Sequence, residues 1–482
     1  MLQASPGSPA LGRQWGAACG RASPCFMDHA MDDHPVSARA GPVCAPAHPG
    51  LRARRLASAL LSATLFAGWS GVGAAASTEA ARVPLEDVLT SKLFRPGAPT
   101  GMADTTHAVV ASANAPFTQV RLVYWNTTAT PYRIEAAVAA PSSSLNDGVR
   151  PTDATGKADV GLFRAVPFNG GAGGPLVVPA AAVPGSDGVP GMAASDWVDL
   201  PSLPRSDDPR GLPLMMARSY AREPAVASSA YHYDFAALGA LPGGKTERAF
   251  WVPGDHVGAD RDGFTPTGEG FEVPAILQFR TTRKGVTVMA VGDSITQGAL
   301  AQGGYEGWGF HAAVSVSRPN LPVSYFNAGY AGQPAWQFLA AGRAYFDAFQ
   351  PRVVLIACYS PNDPQTREAA AAAFEGAMRL ARHVSESGGV PVLETPVPAD
   401  TTVETDMHRL ATVARVKASG LAFADFDAAL SDGGRPARMR PDYDTGDRVH
   451  PNDEGHRAMA AAAAAALRAI LLPPSPGDGR GR

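Results

Sequence analysis

The chain has 482 residues, enough for two or three domains, and its 41 basic and 44 acidic residues give a formal net charge of -3. It contains no polybasic run, and this excludes the charge pattern typical of a nucleic-acid-binding protein.

Residues 51–76 have the pattern of a secretory signal peptide. Three arginines are followed by an apolar stretch that ends in three alanines. The apolar part is too short and too rich in small residues for a stable membrane span. Residues 1–50 precede it without any periodicity, which indicates a disordered leader or a start codon placed too early. We therefore expect an exported protein, periplasmic or extracellular, whose mature chain begins near Ser77.

Residues 77–283 form a region with β character. Short apolar runs are bounded by turn residues, and Val120, Leu122 and Tyr124 alternate so that they share one face of a strand. Pro- and Gly-rich loops separate these runs. The pattern predicts an accessory β-sandwich of the jelly-roll kind, which either binds glycan or covers the mouth of an active site.

Residues 284–472 alternate regularly between strand and helix patterns. Five apolar runs are each followed by a helical stretch or a loop, and this order predicts a parallel sheet with right-handed crossovers. The runs are 286–292, 323–329, 352–360, 389–397 and 421–426. Residues 473–482 are expected to form a disordered tail.

Polar residues collect where these predicted strands end. Ser294 follows the first strand, Gly332 lies in the turn after the second, and Asn362 follows the third. Asp447 and His450 lie after the fifth strand, just before the last helix. Because ligands bind beyond the carboxyl ends of strands in open α/β sheets, we expect these residues to meet at one edge.

Ester cleavage gives each of these residues a role. A serine hydroxyl is a weak nucleophile and needs a base, for which His450 is the candidate, while Asp447 would orient and stabilise the imidazole. The oxyanion of the tetrahedral intermediate needs donors. We expect these to be the backbone N–H groups of Ser294 and Gly332 and the side-chain amide of Asn362.

The two end motifs carry a family resemblance. GDSIT, which contains Ser294, and DRVHPN, which contains Asp447 and His450, resemble the first and last blocks of the SGNH hydrolases, the GDSL-type esterases and lipases. The resemblance covers about residues 284–472. It implies a flavodoxin-like three-layer α/β/α fold with a five-stranded parallel sheet, hydrolysis of esters or thioesters, no metal and no cofactor.

The two middle blocks of the family match less completely. The family's oxyanion glycine lies five residues after an asparagine, and this identifies Gly332 rather than Gly329 in the run that starts at Asn327. The third block is normally Gly-x-Asn-Asp, whereas here Ser360 stands in place of the glycine and Asn362 is retained.

Several functional alternatives remain open at this stage. The same residues would serve an acyltransferase, and a secreted binding protein with an inactive site is a second possibility. Metal catalysis is a weaker one, because His450 and His456 are six residues apart and the chain has no HExxH motif. We expect the substrate to be a small-molecule, lipid or glycan ester, and the oligomeric state is open. Trp308 and Trp336 are candidates for substrate binding.

Overall fold

The computed structural model describes most of the chain between residues 85 and 472. The described residues are 85–92, 96–182, 189–207, 212–228, 249–260, 262–266, 273–274, 276–301 and 307–472. The predicted leader, signal peptide and tail lie outside them. Within the described part of the chain, no helix is long and apolar enough to span a bilayer.

The first half of the described chain is rich in strands, which confirms the predicted β-rich region. Its strands are β1 (Glu86–Lys92), β2 (Pro96–Pro99), β3 (Thr105–Ser112), β4 (Phe117–Asn126), β5 (Tyr132–Ile134), β6 (Ala136–Ser142), β7 (Arg164–Ala165), β8 (Leu176–Val178), β9 (Gly191–Ala194), β10 (Val198–Asp199), β11 (Leu214–Ala221), β12 (Val226–Ser228), β13 (Ala249–Pro253) and β14 (Thr265–Pro266). Six of them form one sheet in the order β14-β13-β3-β11-β6-β7. The jelly-roll arrangement itself stays a prediction.

The second half alternates strands with helices. Its strands are β15 (Ile276–Gly292), β16 (Val323–Gly329), β17 (Val353–Ala357), β18 (Val390–Glu394) and β19 (Ala422–Ala424). Its helices are α1 (Ser294–Gln297), α2 (Trp308–Val316), α3 (Ala335–Phe349), α4 (Arg367–Glu386), α5 (Val403–Ala418), α6 (Phe426–Leu430) and α7 (Asp453–Leu471). These strands pair in parallel in the order β16-β15-β17-β18-β19.

Alternate residues of β15 face two different cores, as expected for side chains along a strand. Val288 and Ala290 belong to the cluster that contains residues of α2, α6 and α7. Met289 and Val291 belong to the cluster that contains residues of α3 and α4. The sheet is therefore covered by helices on both faces, which explains why this stretch of β15 is apolar at almost every position.

β15 also joins the two halves of the chain. Its first part pairs antiparallel with β1 and β4, and its last part pairs in parallel with β16 and β17. The predicted domain boundary between residues 283 and 284 falls inside this strand. Strands from both sides of that boundary thus belong to one mixed sheet, and Trp125 of β4 lies against Tyr345 of α3 with ring centroids 6.3 Å apart.

We expect Trp125→Ala to lower the free energy of unfolding by about 3–5 kcal/mol, because it leaves a large cavity in a core that both halves share. The shared core also predicts a single unfolding transition. Denaturant unfolding followed by circular dichroism and tryptophan fluorescence measures both.

Trp336→Ala is the matched control, since this side chain is 66% exposed and its loss should cost less than about 0.5 kcal/mol. Two separate transitions, of which Trp125→Ala shifts only one, would contradict the shared core.

Candidate active site

The turn between β15 and α1 presents Ser294 at the sheet edge. Asp293 caps α1, and one oxygen of its carboxylate accepts a hydrogen bond from the Ile295 N–H at 2.9 Å. Only glycine fits at position 292, because a Cβ there would collide with the side chain of Thr296. Ser294 is 7% exposed and is the first residue of α1, where backbone N–H groups lack acceptors within the helix.

The loop before α7 brings His450 to Ser294. The Nε2 atom of His450 lies 2.8 Å from the Ser294 hydroxyl oxygen, and its Nδ1 atom lies 2.6 Å from Oδ2 of Asp447. A base in contact with a hydroxyl and oriented by a third group is the arrangement that activates a serine nucleophile. The structure thus brings together the three residues that the end motifs singled out.

Asp447 is held by its own loop. Its Oδ1 atom accepts hydrogen bonds from the backbone N–H groups of Val449, at 2.9 Å, and His450, at 2.8 Å. Partial burial raises the pKa of this carboxyl, but the hydrogen bonds from His450 and Val449 outweigh it and lower the pKa to about 2. Arg448, between Asp447 and Val449, has a left-handed φ of 66° and pairs with Asp400 at 2.7 Å. The loop that contains Asp447 is therefore held by its own hydrogen bonds and by the ion pair with Asp400.

Gly329 and Gly332, the two glycines after β16, are required for different structural reasons. Gly332 has a φ of 78°, in the left-handed region that favours glycine, and a Cβ there would meet open space. Gly329 is needed for close packing, because a Cβ there would collide with the backbone of Gln297. Gly332 therefore lies in the exposed turn after β16, where the sequence predicted it. Gly329 allows α1 to pack closely against β16.

Asn362 lies beside this turn. Its side-chain nitrogen is 3.2 Å from the carbonyl oxygen of Gln333, the residue after Gly332, and 3.1 Å from the hydroxyl of Ser360. Ser360 in turn donates to the carboxylate of Asp293 at 2.6 Å. Side-chain hydrogen bonds therefore link the three loops that follow β15, β16 and β17.

The two tryptophans proposed for substrate binding lie in different environments. Trp308 is completely buried and packs edge-on against Phe426, with ring centroids 4.8 Å apart. This corrects the prediction for Trp308, because position 308 faces the core on the inner side of α2. Trp336 is 66% exposed at the start of α3, four residues after Gly332. It remains a candidate for substrate contact.

Sequence reasoning missed two buried polar residues at the sheet edge. Glu394 ends β18 and is buried, so that desolvation raises the pKa of its carboxyl well above the usual range. It lines a cavity beyond the ends of β17 and β18 together with Asp293, Tyr359 and Arg409. Ser360 is the second residue. Glu394 could have been identified from the sequence as an acidic residue at the end of an apolar run. Ser360 could have been identified only from its departure from the family pattern.

Metal catalysis was a weaker alternative from the sequence. In the described part of the chain, no group of three or more His, Cys, Asp or Glu side chains is placed to hold an ion. His456, which the sequence paired with His450 as a weak alternative, is buried in α7, and burial lowers its pKa to about 4.

The parallel strands with helices on both faces and the serine that follows β15 form an α/β hydrolase fold. Residues 290–458 match the model of the GDSL-like lipase/acylhydrolase family. This part of the chain belongs to that family, which confirms the resemblance drawn from the end motifs, and the protein is an ester-hydrolysing enzyme.

Solved structures also resemble this part of the chain. A lipolytic protein of the G-D-S-L family from Desulfitobacterium hafniense DCB-2 is 19% identical, with 38% of this chain and 99% of that one covered and a TM-score of 0.33. An acylhydrolase from Bacteroides fragilis is 23% identical (38% and 88% covered, TM-score 0.31). An acetylxylan esterase from Geobacillus stearothermophilus is 20% identical (38% and 94% covered, TM-score 0.31). A comparison with curated proteins found no match.

The low pKa of Asp447 predicts a pH-dependent contribution to stability. The pKa is about 2 in the folded protein against an ordinary value of 3.8, so the ionised carboxylate stabilises the fold above pH 3.8. This contribution disappears as the pH falls from 3.8 toward 2. We therefore expect the difference in unfolding free energy between wild type and Asp447→Asn to shrink across that window, as measured by urea titrations on both sides of it.

Asp442→Asn provides the control, because Asp442 is an exposed carboxylate of the same loop. A wild-type advantage over Asp447→Asn that is unchanged down to pH 2 would show that the carboxylate is not held as described.

Proposed function

We propose that the protein is an exported serine esterase in which Ser294 attacks the ester carbonyl. His450 accepts the hydroxyl proton and later returns it to the leaving group, and Asp447 holds the imidazole in one tautomer and stabilises its charged form. The observation that carries this proposal is the 2.8 Å contact between Ser294 Oγ and His450 Nε2, with Asp447 2.6 Å from the other ring nitrogen. Export is proposed from the signal-like segment 51–76.

An oxyanion hole completes the proposed mechanism. Its donors are the backbone N–H groups of Ser294 and Gly332 and the side-chain amide of Asn362. The left-handed φ of Gly332 and the hydrogen bond from Asn362 to the neighbouring carbonyl of Gln333 support this assignment. Donors fixed before the reaction stabilise the developing negative charge without having to reorganise, and losing one typically lowers turnover by about 10²–10³.

The proposed mechanism predicts that Ser294→Ala and His450→Ala each remove nearly all turnover of a chromogenic acetate ester. Their losses should not add in the double variant, because the two residues act as one unit. A fluorophosphonate should label wild-type Ser294 and abolish activity. Steady-state kinetics and mass spectrometry of the labelled peptide provide the measurements.

The proposed export predicts that the mature chain begins near Ser77. Mass spectrometry of protein recovered from the medium or periplasm should find an N-terminus there.

Matched controls lie outside the site. Ser315→Ala removes a hydroxyl that is bonded within α2, and His408→Ala removes an imidazole from α5, so both should keep wild-type turnover. Full activity of Ser294→Ala would overturn the esterase mechanism, whereas recovery of chains that still carry residues 1–50 would overturn only the proposed export.

For the substrate, we propose acylated or acetylated glycans or lipids that contact Trp336. An exposed indole beside the oxyanion turn offers a flat apolar surface on which a sugar ring or an acyl chain can lie. The β-rich half, including the jelly-roll arrangement predicted for it, is proposed to influence this selectivity.

We expect Trp336→Ala to raise KM for an acetylated glycan several-fold while kcat stays constant, because the lost contact is made equally in the ground state and the transition state. Trp336→Phe should keep most of the wild-type KM, since it retains an aromatic face. Steady-state kinetics across acyl lengths and acetylated glycans provide the measurement. If KM is unchanged for every substrate of the panel in Trp336→Ala, Trp336 has no role in binding.

A further inference from the structure

Ser360 occupies the position where the third family block normally has glycine. It follows β17, and its side chain is completely buried between the loops of the site. Four polar atoms surround its hydroxyl oxygen: Oδ2 of Asp293 at 2.6 Å, the carbonyl oxygen of Gln333 at 3.1 Å, and the backbone and side-chain nitrogens of Asn362, both at 3.1 Å. The hydroxyl therefore contacts all three loops.

The bonding capacity of a hydroxyl assigns the direction of these contacts. Ser360 has one proton to donate and two lone pairs that accept. The shortest contact is with the carboxylate of Asp293, so the proton goes there, and the lone pairs accept both N–H groups of Asn362. Asp293 also caps α1 and so fixes the position of Ser294. One hydroxyl thus connects the serine turn to the side-chain amide of Asn362.

The geometry around Asn362 determines where its second amide hydrogen points. Its side-chain nitrogen lies 3.1 Å from Ser360 Oγ and 3.2 Å from the carbonyl oxygen of Gln333, and these two acceptors are 3.1 Å apart. A triangle with sides of 3.1, 3.1 and 3.2 Å has an angle of about 60° at the nitrogen. The two hydrogens of an amide group diverge by roughly 120°. A single N–H can therefore face both acceptors, and in that orientation the other N–H is left for a ligand.

We propose that Ser360 is a positioning residue that, together with the carbonyl of Gln333, holds one amide hydrogen of Asn362 and so aims the other at the oxyanion. This proposal rests on the proposed esterase function and extends it to a residue that makes no contact with the substrate. Removing the hydroxyl leaves the amide held by the carbonyl of Gln333 alone, and this looser orientation weakens a donor that acts mainly in the transition state.

The proposal predicts that Ser360→Ala lowers kcat about tenfold with little change in KM, a smaller loss than the roughly 10²–10³ expected for Asn362→Ala. In the Asn362→Ala background, Ser360→Ala should cause no further fall in kcat, because its effect passes through Asn362. Ser360→Gly, the family's own residue at this position, removes the same hydroxyl and is the second variant if Ser360→Ala fails to fold. Steady-state kinetics on an acetate ester compare these four variants with the wild-type protein.

Ser324→Ala is the matched control. It also removes a buried hydroxyl, one that donates to the carbonyl of Thr90 at 2.7 Å, and it should keep wild-type kcat. Full kcat in both Ser360 variants, or an equal fall in the presence and absence of the Asn362 amide, would overturn the positioning role. Absence of ester turnover in the wild-type protein would instead overturn the proposed function, so the two failures are distinguishable.

Discussion

The continuous pairing of β15 is the constraint on which the rest of the structure depends. Its first part is bonded to β1 and β4 and its last part to β16 and β17, so its backbone polar groups have partners on both sides. From residue 286 to residue 292 every position is buried between two layers of helices. A strand enclosed in this way leaves room for a ligand only beyond its end, and Ser294 lies two residues after Gly292, the last residue of β15.

The environments of two carboxylates explain how the edge of the sheet is organised. Burial raises the pKa of Asp293, although the hydroxyl of Ser360 and the N–H of Ile295 act in the opposite direction, and its bonds are directed at the scaffold. Asp447 is more exposed and accepts N–H groups from its own loop, so it stays ionised down to a low pH. In the proposed mechanism Asp447 therefore supplies the negative charge that stabilises an imidazolium, while the hydrogen bonds of Asp293 connect it to α1 and to Ser360.

Most of the catalytic half could be predicted from the sequence, because the information is local. The apolar runs of the parallel strands and the motifs around Ser294 and His450 each span a few residues, and Asp447 contacts His450 from only three positions away. The burial of Trp308 could not be predicted from local sequence, since it depends on which side of the short helix α2 faces α6 and α7. The sheet that continues across the predicted domain boundary at residue 283 could not be predicted either. It forms because β15 pairs with β1 and β4, which are far from it in the sequence.

Ser360 shows why a departure from a family pattern needs the structure to be understood. In the sequence, serine in place of glycine only makes the match of the third block to the family pattern less complete. In the folded chain the carboxylate of Asp293 is buried, and a buried carboxylate without donors is costly. The hydroxyl supplies a donor from 67 residues away and at the same time accepts from Asn362, two residues further on. Serine at this position is therefore compatible with the orientation proposed for Asn362, because the hydroxyl that donates to the buried carboxylate also accepts from the side-chain amide.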